Sequence, residues 1–130
     1  MANPNLINSS SITGNTTYYT PSGVTAVVLL PNAASSGIVN KIENVVVSNV
    51  TASAANATVS IYTNGAVAQG SAPSGGTAYP LAFQVSVPAN ATLVVVDKST
   101  AFYLQEGTSI SITSGTANSL TFTTSYEAIT

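Results

Sequence analysis

The chain is 130 residues long with a formal net charge of −2; only 5% of its residues are charged, and it contains neither cysteine nor histidine. Arginine is absent as well, so the ionic side chains are Lys41, Glu43, Asp97, Lys98, Glu106 and Glu127. These counts exclude a disulfide framework, a thiolate or imidazole metal site, a Cys nucleophile and a Ser-His-Asp triad, and two lysines cannot neutralise the phosphates of a nucleic acid.

A chain of this length suits one domain with its own core. The opening Met1-Ala2-Asn3-Pro4-Asn5 has no basic residue and no apolar run behind it, so no secretory signal is expected, and no stretch approaches the ~18–20 apolar residues of a membrane helix. In place of charge the chain carries Ser, Thr and Asn, 48 of its 130 residues. Ordinary domains hold roughly 25% charged residues. A surface with so few sets up little repulsion between copies and permits close packing in an assembly.

Residues 1–20 combine Asn3-Pro4, Ser9-Ser10-Ser11 and Thr13-Gly14-Asn15 with few aliphatic groups, and read as an N-terminal arm or irregular lead-in. Residues 21–130 read as a single β domain. Pro21-Ser22-Gly23 is a turn before a short strand over 24–30, which Pro31-Asn32 closes. The longest predicted strand covers 38–50, with Ile42, Val46 and Val50 on one face and Val45 and Val47 on the other. Apolar groups on both faces predict a strand covered twice, once by its own core and once by something else. Residues 58–63 alternate with Val59 and Ile61 inward, and Asn64-Gly65 signals a hairpin whose return strand, Ala66-Val67-Ala68, is weak. Residues 69–76, rich in Gly and Ser, are expected to form the most mobile loop.

From 81 to 112 the pattern is a meander of strands. Leu81, Phe83, Val85 and Val87 alternate with Ala82, Gln84 and Ser86, then come the turn Pro88-Ala89-Asn90 and the apolar run Leu93, Val94, Val95 and Val96. Phe102-Tyr103-Leu104 follows, and Ile110 and Ile112 alternate with Ser109, Ser111 and Thr113. Such alternation suits half-buried antiparallel strands, whose side chains point to opposite faces in turn. Gly115 and Asn118 mark a last turn before 120–129, with Leu120, Phe122 and Tyr126 on one face. Eight or nine short strands without a helical period predict an all-β antiparallel sandwich, jelly-roll or immunoglobulin-like, with a small closed β-barrel as the alternative. The expected core is Val27, Leu29, Ile42, Val46, Val59, Ile61, Leu81, Phe83, Val85, Leu93, Val95, Phe102, Leu104, Ile110, Ile112, Leu120 and Phe122.

Little in the chain points to catalysis. A Ser-Lys dyad would need Lys41 or Lys98, and neither sits in a nucleophile turn. Asp97 and Glu106 could approach as a two-carboxylate pair, but Asp97-Lys98 reads as a strand-end cap and Glu106-Gly107 as a turn. The four acidic residues are too scattered for calcium. No enzyme activity, cofactor or metal is expected, and no nucleic-acid or membrane partner. Five Asn-X-Ser/Thr sequons, at Asn8, Asn15, Asn49, Asn56 and Asn90, are about what this composition yields by chance. The tyrosines offer apolar area with a polar tip, suited to a subunit contact or a sugar platform. Tyr62 and Tyr103, beside inward residues, should face away from the core. The candidate subunit contacts are Tyr18, Tyr19, Val45, Val47, Tyr62, Tyr79 and Tyr103.

The segment Val87-Pro88-Ala89-Asn90-Ala91-Thr92-Leu93-Val94-Val95-Val96-Asp97-Lys98, the segment Phe102-Tyr103-Leu104-Gln105-Glu106-Gly107-Thr108-Ser109-Ile110 and the ending Ser125-Tyr126-Glu127-Ala128-Ile129 resemble small virion structural proteins of tailed phages, particularly those infecting marine cyanobacteria. The opening five residues and Lys41-Ile42 fit the same pattern, and the chain departs from it at Thr108 and Ala128, where acidic residues are common. The resemblance implies a non-enzymatic component of the virus particle, made in the host cytoplasm. Its implied place is the capsid exterior, as a decoration or cement protein. The partners would then be the major capsid protein and copies of itself in a trimer or other cyclic oligomer. A tail, baseplate or fibre component is the nearest alternative, and a carbohydrate-binding module is the alternative from a different class.

Overall fold

Val, Ile, Thr and Tyr fill alternate positions along most of the chain, and this pattern folds into nine strands among the described residues. The computed structural model describes residues 3–130; Met1 and Ala2, part of the expected arm, lie outside the described residues. The strands are β1 Ile12–Tyr19, β2 Val27–Asn32, β3 Val39–Asn49, β4 Ala55–Tyr62, β5 Ala78–Val87, β6 Thr92–Val96, β7 Phe102–Leu104, β8 Thr108–Ser114 and β9 Leu120–Ile129. Single 3-10 turns lie at Leu6–Asn8 and Lys98–Thr100.

The antiparallel pairs are nested. β4 pairs with β5, β3 with β6 and β7, β2 with β8, and β1 with β9. This is the pairing of one long hairpin, folded over into two sheets of order β1-β9-β3-β6, with β7 also beside β3, and β2-β8-β4-β5. The result is a β-sandwich with jelly-roll strand order. The sheets stay open, so the barrel alternative does not hold. An immunoglobulin sandwich would group the first, second, fourth and fifth strands, whereas here β1 and β2 lie in different sheets.

The core lies between the sheets. Ile42, Val45, Val47, Val96, Leu104, Leu120 and Phe122 come from one sheet, and Leu29, Ala55, Ala57, Val59, Val87, Ile110 and Ile112 from the other. Val27, Leu93, Val95 and Phe102 pack against them, half-buried. Ile61, expected inward on β4, is only half-buried and stands outside the core cluster, and the expectations fail more fully at two further places. In β3 the inward residues after Ile42 are Val45 and Val47, both fully buried, while Val46 is turned outward. The cause is a β-bulge. Ile42 faces Tyr126 and Asn44 faces Ser125, so Glu43 is an extra residue that reverses the side-chain parity of the rest of the strand. The bulge leaves no polar group stranded, because the Thr124 hydroxyl donates to the Asn44 carbonyl at 2.8 Å and the Ser125 N–H donates to Asn44 Oδ1 at 3.1 Å.

The second failure is β5. Leu81, Phe83 and Val85, expected in the core, are exposed, and only Val87 is buried. β5 is the edge of its sheet, and its register against β4 slips twice, between Ala57 and Val59 and between Val59 and Ser60. Pro80 lies within it, and Gln84 takes a left-handed φ of 50°. The lost alternation leaves most of its apolar side chains outside the sheet-to-sheet contact.

Two loops also differ from expectation. Residues 12–19, read as irregular lead-in, form β1 along residues 122–129 of β9. The Asn64-Gly65 pair turns no hairpin, for β4 connects to β5 through residues 63–77. Gly65 instead lets this loop press on the sheet, since a Cβ there would collide with the Asn32 carbonyl and stand 2.6 Å from that of Thr108. The stretch expected to be most mobile is tied down. The Gly70 N–H donates to the Val28 carbonyl at 2.8 Å, the Val28 N–H donates to the Ser71 carbonyl at 2.9 Å, and the Tyr62 hydroxyl accepts from the Gly76 N–H at 3.0 Å.

Urea unfolding separates the two kinds of phenylalanine. Phe122→Ala should cost about 3–5 kcal/mol, and Phe83→Ala no more than about 0.5–1 kcal/mol. Gly65→Ala should lower stability by roughly 1–3 kcal/mol through overpacking against backbone that cannot yield. A neutral result would place the 63–77 loop elsewhere.

Candidate functional site

The seven residues expected at a subunit contact do not form one surface. Val45 and Val47 are core residues, because the Glu43 bulge turns them inward. Tyr19 packs against the core and lies under Gly70. Tyr62 is only 8% exposed, covered by the loop to which its hydroxyl is bonded. Tyr18, Tyr79 and Tyr103 are exposed but lie apart. Tyr18 is on the outer strand β1, Tyr103 is on β7 across the β9-β3 pair from it, and Tyr79 is in the other sheet. No tyrosine platform forms.

What the fold does gather is an apolar strip along β5. Tyr79 is 60% exposed, Phe83 64%, and Leu81 and Val85 lie beside them, also exposed. The Gln84 N–H donates to Thr58 Oγ1 at 3.0 Å, which holds the bulged backbone in place. A proline inside a strand is the sequence signal for an edge, and Pro80 carries it. A smaller row crosses the outer face of the first sheet, where Tyr18 pairs with Thr123, Thr123 with Val46 and Val46 with Val94. Val46 is thus the outward valine of β3. None of the residues 44–96 is charged, so the whole of β4, β5 and β6 and their connections is neutral.

The opposite sides of the sandwich are treated differently. Next to β2, the Gln69 side chain donates to Thr17 Oγ1 on β1 at 2.8 Å and to the Leu29 carbonyl on β2 at 2.9 Å, joining the two sheets. Beside this link a cleft of ≈ 500 Å³ opens between the sheets, with Asn15, Asn40, Tyr126 and Ala128 on one wall and Leu30 on the other. Burial raises the Tyr126 phenol above its ordinary pKa.

The charged groups have local roles. Asp97 caps the Lys98–Thr100 turn, accepting from the Ser99 N–H at 2.9 Å and the Ser99 hydroxyl at 2.6 Å, and these bonds lower its pKa. Among the described residues no three acidic, His or Cys side chains gather to hold a metal ion. Lys41 and Glu127 face each other across β3 and β9, and Lys41 Nζ stands 3.5 Å from Glu43 Oε1. A hydrogen bond between the two glutamate side chains holds Glu43 below its ordinary value, with help from Lys41, and raises Glu127.

Comparison with protein-family models, characterised proteins and solved structures finds no match to this chain.

The glutamate pair sets a pH dependence. The raised Glu127 favours the fold at low pH, and its contribution is lost as pH rises through its folded value; the lowered Glu43 favours the fold at higher pH, and its contribution is lost as pH falls through its own. The pair is therefore most favourable between the lowered value of Glu43 and the raised value of Glu127, with one proton shared. Glu127→Gln should leave a neutral donor for Glu43 and remove the decline on the alkaline side. Melting temperatures followed from acid to neutral pH should show the native chain losing more than the variant on the alkaline side of its optimum; parallel curves would disprove the shared proton.

Proposed function

We propose that this chain is a phage virion structural protein that acts by packing against its neighbours. Its place is the outer surface of the capsid, where it reinforces the major capsid lattice as a decoration protein. The observation that carries the reading is the β5 strip: four large apolar side chains, Tyr79, Leu81, Phe83 and Val85, stand in solvent on an edge strand inside 53 consecutive uncharged residues, 44–96. Fully burying a side chain of this kind contributes roughly 1.5–3 kcal/mol, so a partner covering the strip gains more than an ordinary polar surface offers. Depletion of charge with aromatic enrichment is the mark of the centre of an interface.

Three further features support the same reading. The jelly roll is an architecture used by viral capsid domains, which is an analogy of fold and not of site. The residue types that carry acid-base and nucleophilic chemistry at neutral pH are scarce. The strand and turn segments of the C-terminal half resemble virion proteins of tailed phages. The partners in this reading are the major capsid protein and copies of the chain, the latter in a trimer or other closed ring, since closed symmetry limits growth through an apolar patch.

Two measurements test it. Quantitative mass spectrometry of purified particles should find this chain at a copy number comparable with the major capsid protein. A handful of copies would move it to the tail, baseplate or fibre, and absence would overturn the reading. In solution the purified chain should scatter light as an oligomer, and Leu81→Ser with Phe83→Ser should leave a monomer with unchanged circular dichroism. An oligomer untouched by both changes would show that β5 is not the contact.

A further inference from the structure

The geometry points to a binding site for a neutral polyhydroxyl ligand, a hexose unit, in the cleft between the two sheets beside β1 and β2. The inference does not rest on the proposed place in a virus particle. Its volume of ≈ 500 Å³ lies in the range of about 300–1,000 Å³ usual for small-molecule sites.

The wall formed by the first sheet breaks the rule that governs the rest of the interior. Asn15 pairs with Tyr126 and Tyr126 with Ile42, while Asn40 pairs with Ala128, so these residues share the inner face that carries the fully buried Ile42. Inner positions elsewhere on this sheet are Val45, Val47, Leu120 and Phe122. Here the same face presents the buried Asn40 amide and the half-buried Tyr126 phenol, with the exposed Asn15 amide, which donates to the Thr13 carbonyl at 3.4 Å, at the rim. Polar groups at core-facing positions conflict with the local pattern, and such conflicts concentrate where a protein does something other than fold.

Asn40 is the sharpest case. Three asparagines are buried, Asn32, Asn40 and Asn49. Asn32 donates to the Ile38 and Leu104 carbonyls at 2.9 and 3.0 Å and accepts from the Ser36 hydroxyl at 2.7 Å. Asn49 donates to the Ser53 and Val87 carbonyls at 2.8 and 3.0 Å and accepts from Thr51 through both its N–H and its hydroxyl. The Asn40 side chain, on a residue only 5% exposed, makes no hydrogen bond within the described residues, and its amide meets solvent only where it lines the cleft. An amide in this setting has two donors and an acceptor to offer, the complement of adjacent hydroxyl groups.

The rest of the cleft sets the ligand's character. Its lining contains no charged side chain, which disfavours an ion. The Tyr126 ring, Leu30 and Ala128 supply apolar surface for the C–H face of a sugar ring. An extended peptide is less suited, because residues 70 and 71 are bonded to Val28 and Pro31 has no N–H to offer along the part of β2 that borders the cleft.

NMR titration of the uniformly 15N-labelled full chain tests the site, with D-glucose, D-galactose, D-mannose and N-acetyl-D-glucosamine as probes and D-glucuronate as the charged control. At least one neutral sugar should shift the side-chain amide signals of Asn40 and Asn15 saturably, with no such shift from glucuronate. Asn40→Leu should weaken that binding about tenfold while leaving the melting temperature little changed, since the amide it removes bonds to no other group of the fold. Asn15→Ala, at an exposed position, provides a second variant that should weaken binding without touching the fold. The site is overturned if none of the four sugars moves either amide, if both variants bind as tightly as the native chain, or if an uncharged acetylated peptide produces the shifts and the sugars do not.

Discussion

One extra residue decides which side of the longest strand is interior. Without the bulge at Glu43, a β3 that placed Ile42 inward would also place Val46 inward and turn Val45 and Val47 to the outside. With it, Ile42, Val45 and Val47 all reach the core, and Val47 comes to lie opposite Phe122, the largest fully buried side chain. β3 sits between β9 on one side and β6 and β7 on the other, so its parity sets the inner and outer faces of the whole first sheet. The bulge is stable because its released groups find partners in Thr124 and Ser125, and a buried Thr on an otherwise apolar face is the sequence trace of that arrangement. The same bulge carries Glu43 to the place where it meets Lys41 and Glu127.

A jelly roll has four strand edges, and an unpaired edge invites any extended chain to add to it. This molecule closes one and disarms another. At β2 the 63–77 loop covers the edge at Val28, and Gln69 fastens Leu29 to β1. At β5 the edge is left open, but Pro80 removes a donor and two register slips with a left-handed Gln84 bend the ladder. Strand addition is therefore blocked where apolar side chains are most exposed. On the proposed reading this combination is coherent: side-chain packing fixes a particular neighbour at a particular angle, while unchecked sheet growth would give fibres.

Much of this fold was legible in the residues. The all-β class, the position of most strands and twelve buried or core-packed positions, from Val27 to Phe122, follow from period-two alternation and from turns at Pro and Gly. Apart from Ile61, the failures in the core share a cause, because alternation reports faces only while register is unbroken. A single inserted residue at Glu43 inverted the reading of Val45, Val46 and Val47, and two slips in β5 removed Leu81, Phe83 and Val85 from the core. Composition misled at 69–76, where Gly and Ser, read as mobility, serve a loop that needs close backbone approach to β2. Of the contact candidates, three tyrosines are exposed and the rest are interior, a distinction that depends on which loop folds over which strand.

The distribution of charge ties these parts together. Lys41, Glu43 and Glu127 lie together on the outside of the first sheet, and Lys98 is close enough to act on Glu43. The opposite sheet contributes to β4 and β5 only neutral residues, and the cleft likewise has no charge in its lining. Water therefore has a strong hold on one face and a weak hold on the other, where apolar strip and uncharged hydroxyl-rich surface are cheap to desolvate. A surface of that kind gains its specificity from shape and from amide and hydroxyl hydrogen bonds, and its attachment should change little with salt, since there is almost no ionic contribution to screen. Binding that weakened steeply with ionic strength would have to run through the Lys41, Glu43 and Glu127 face instead, and would separate the role of that face from the role of β5.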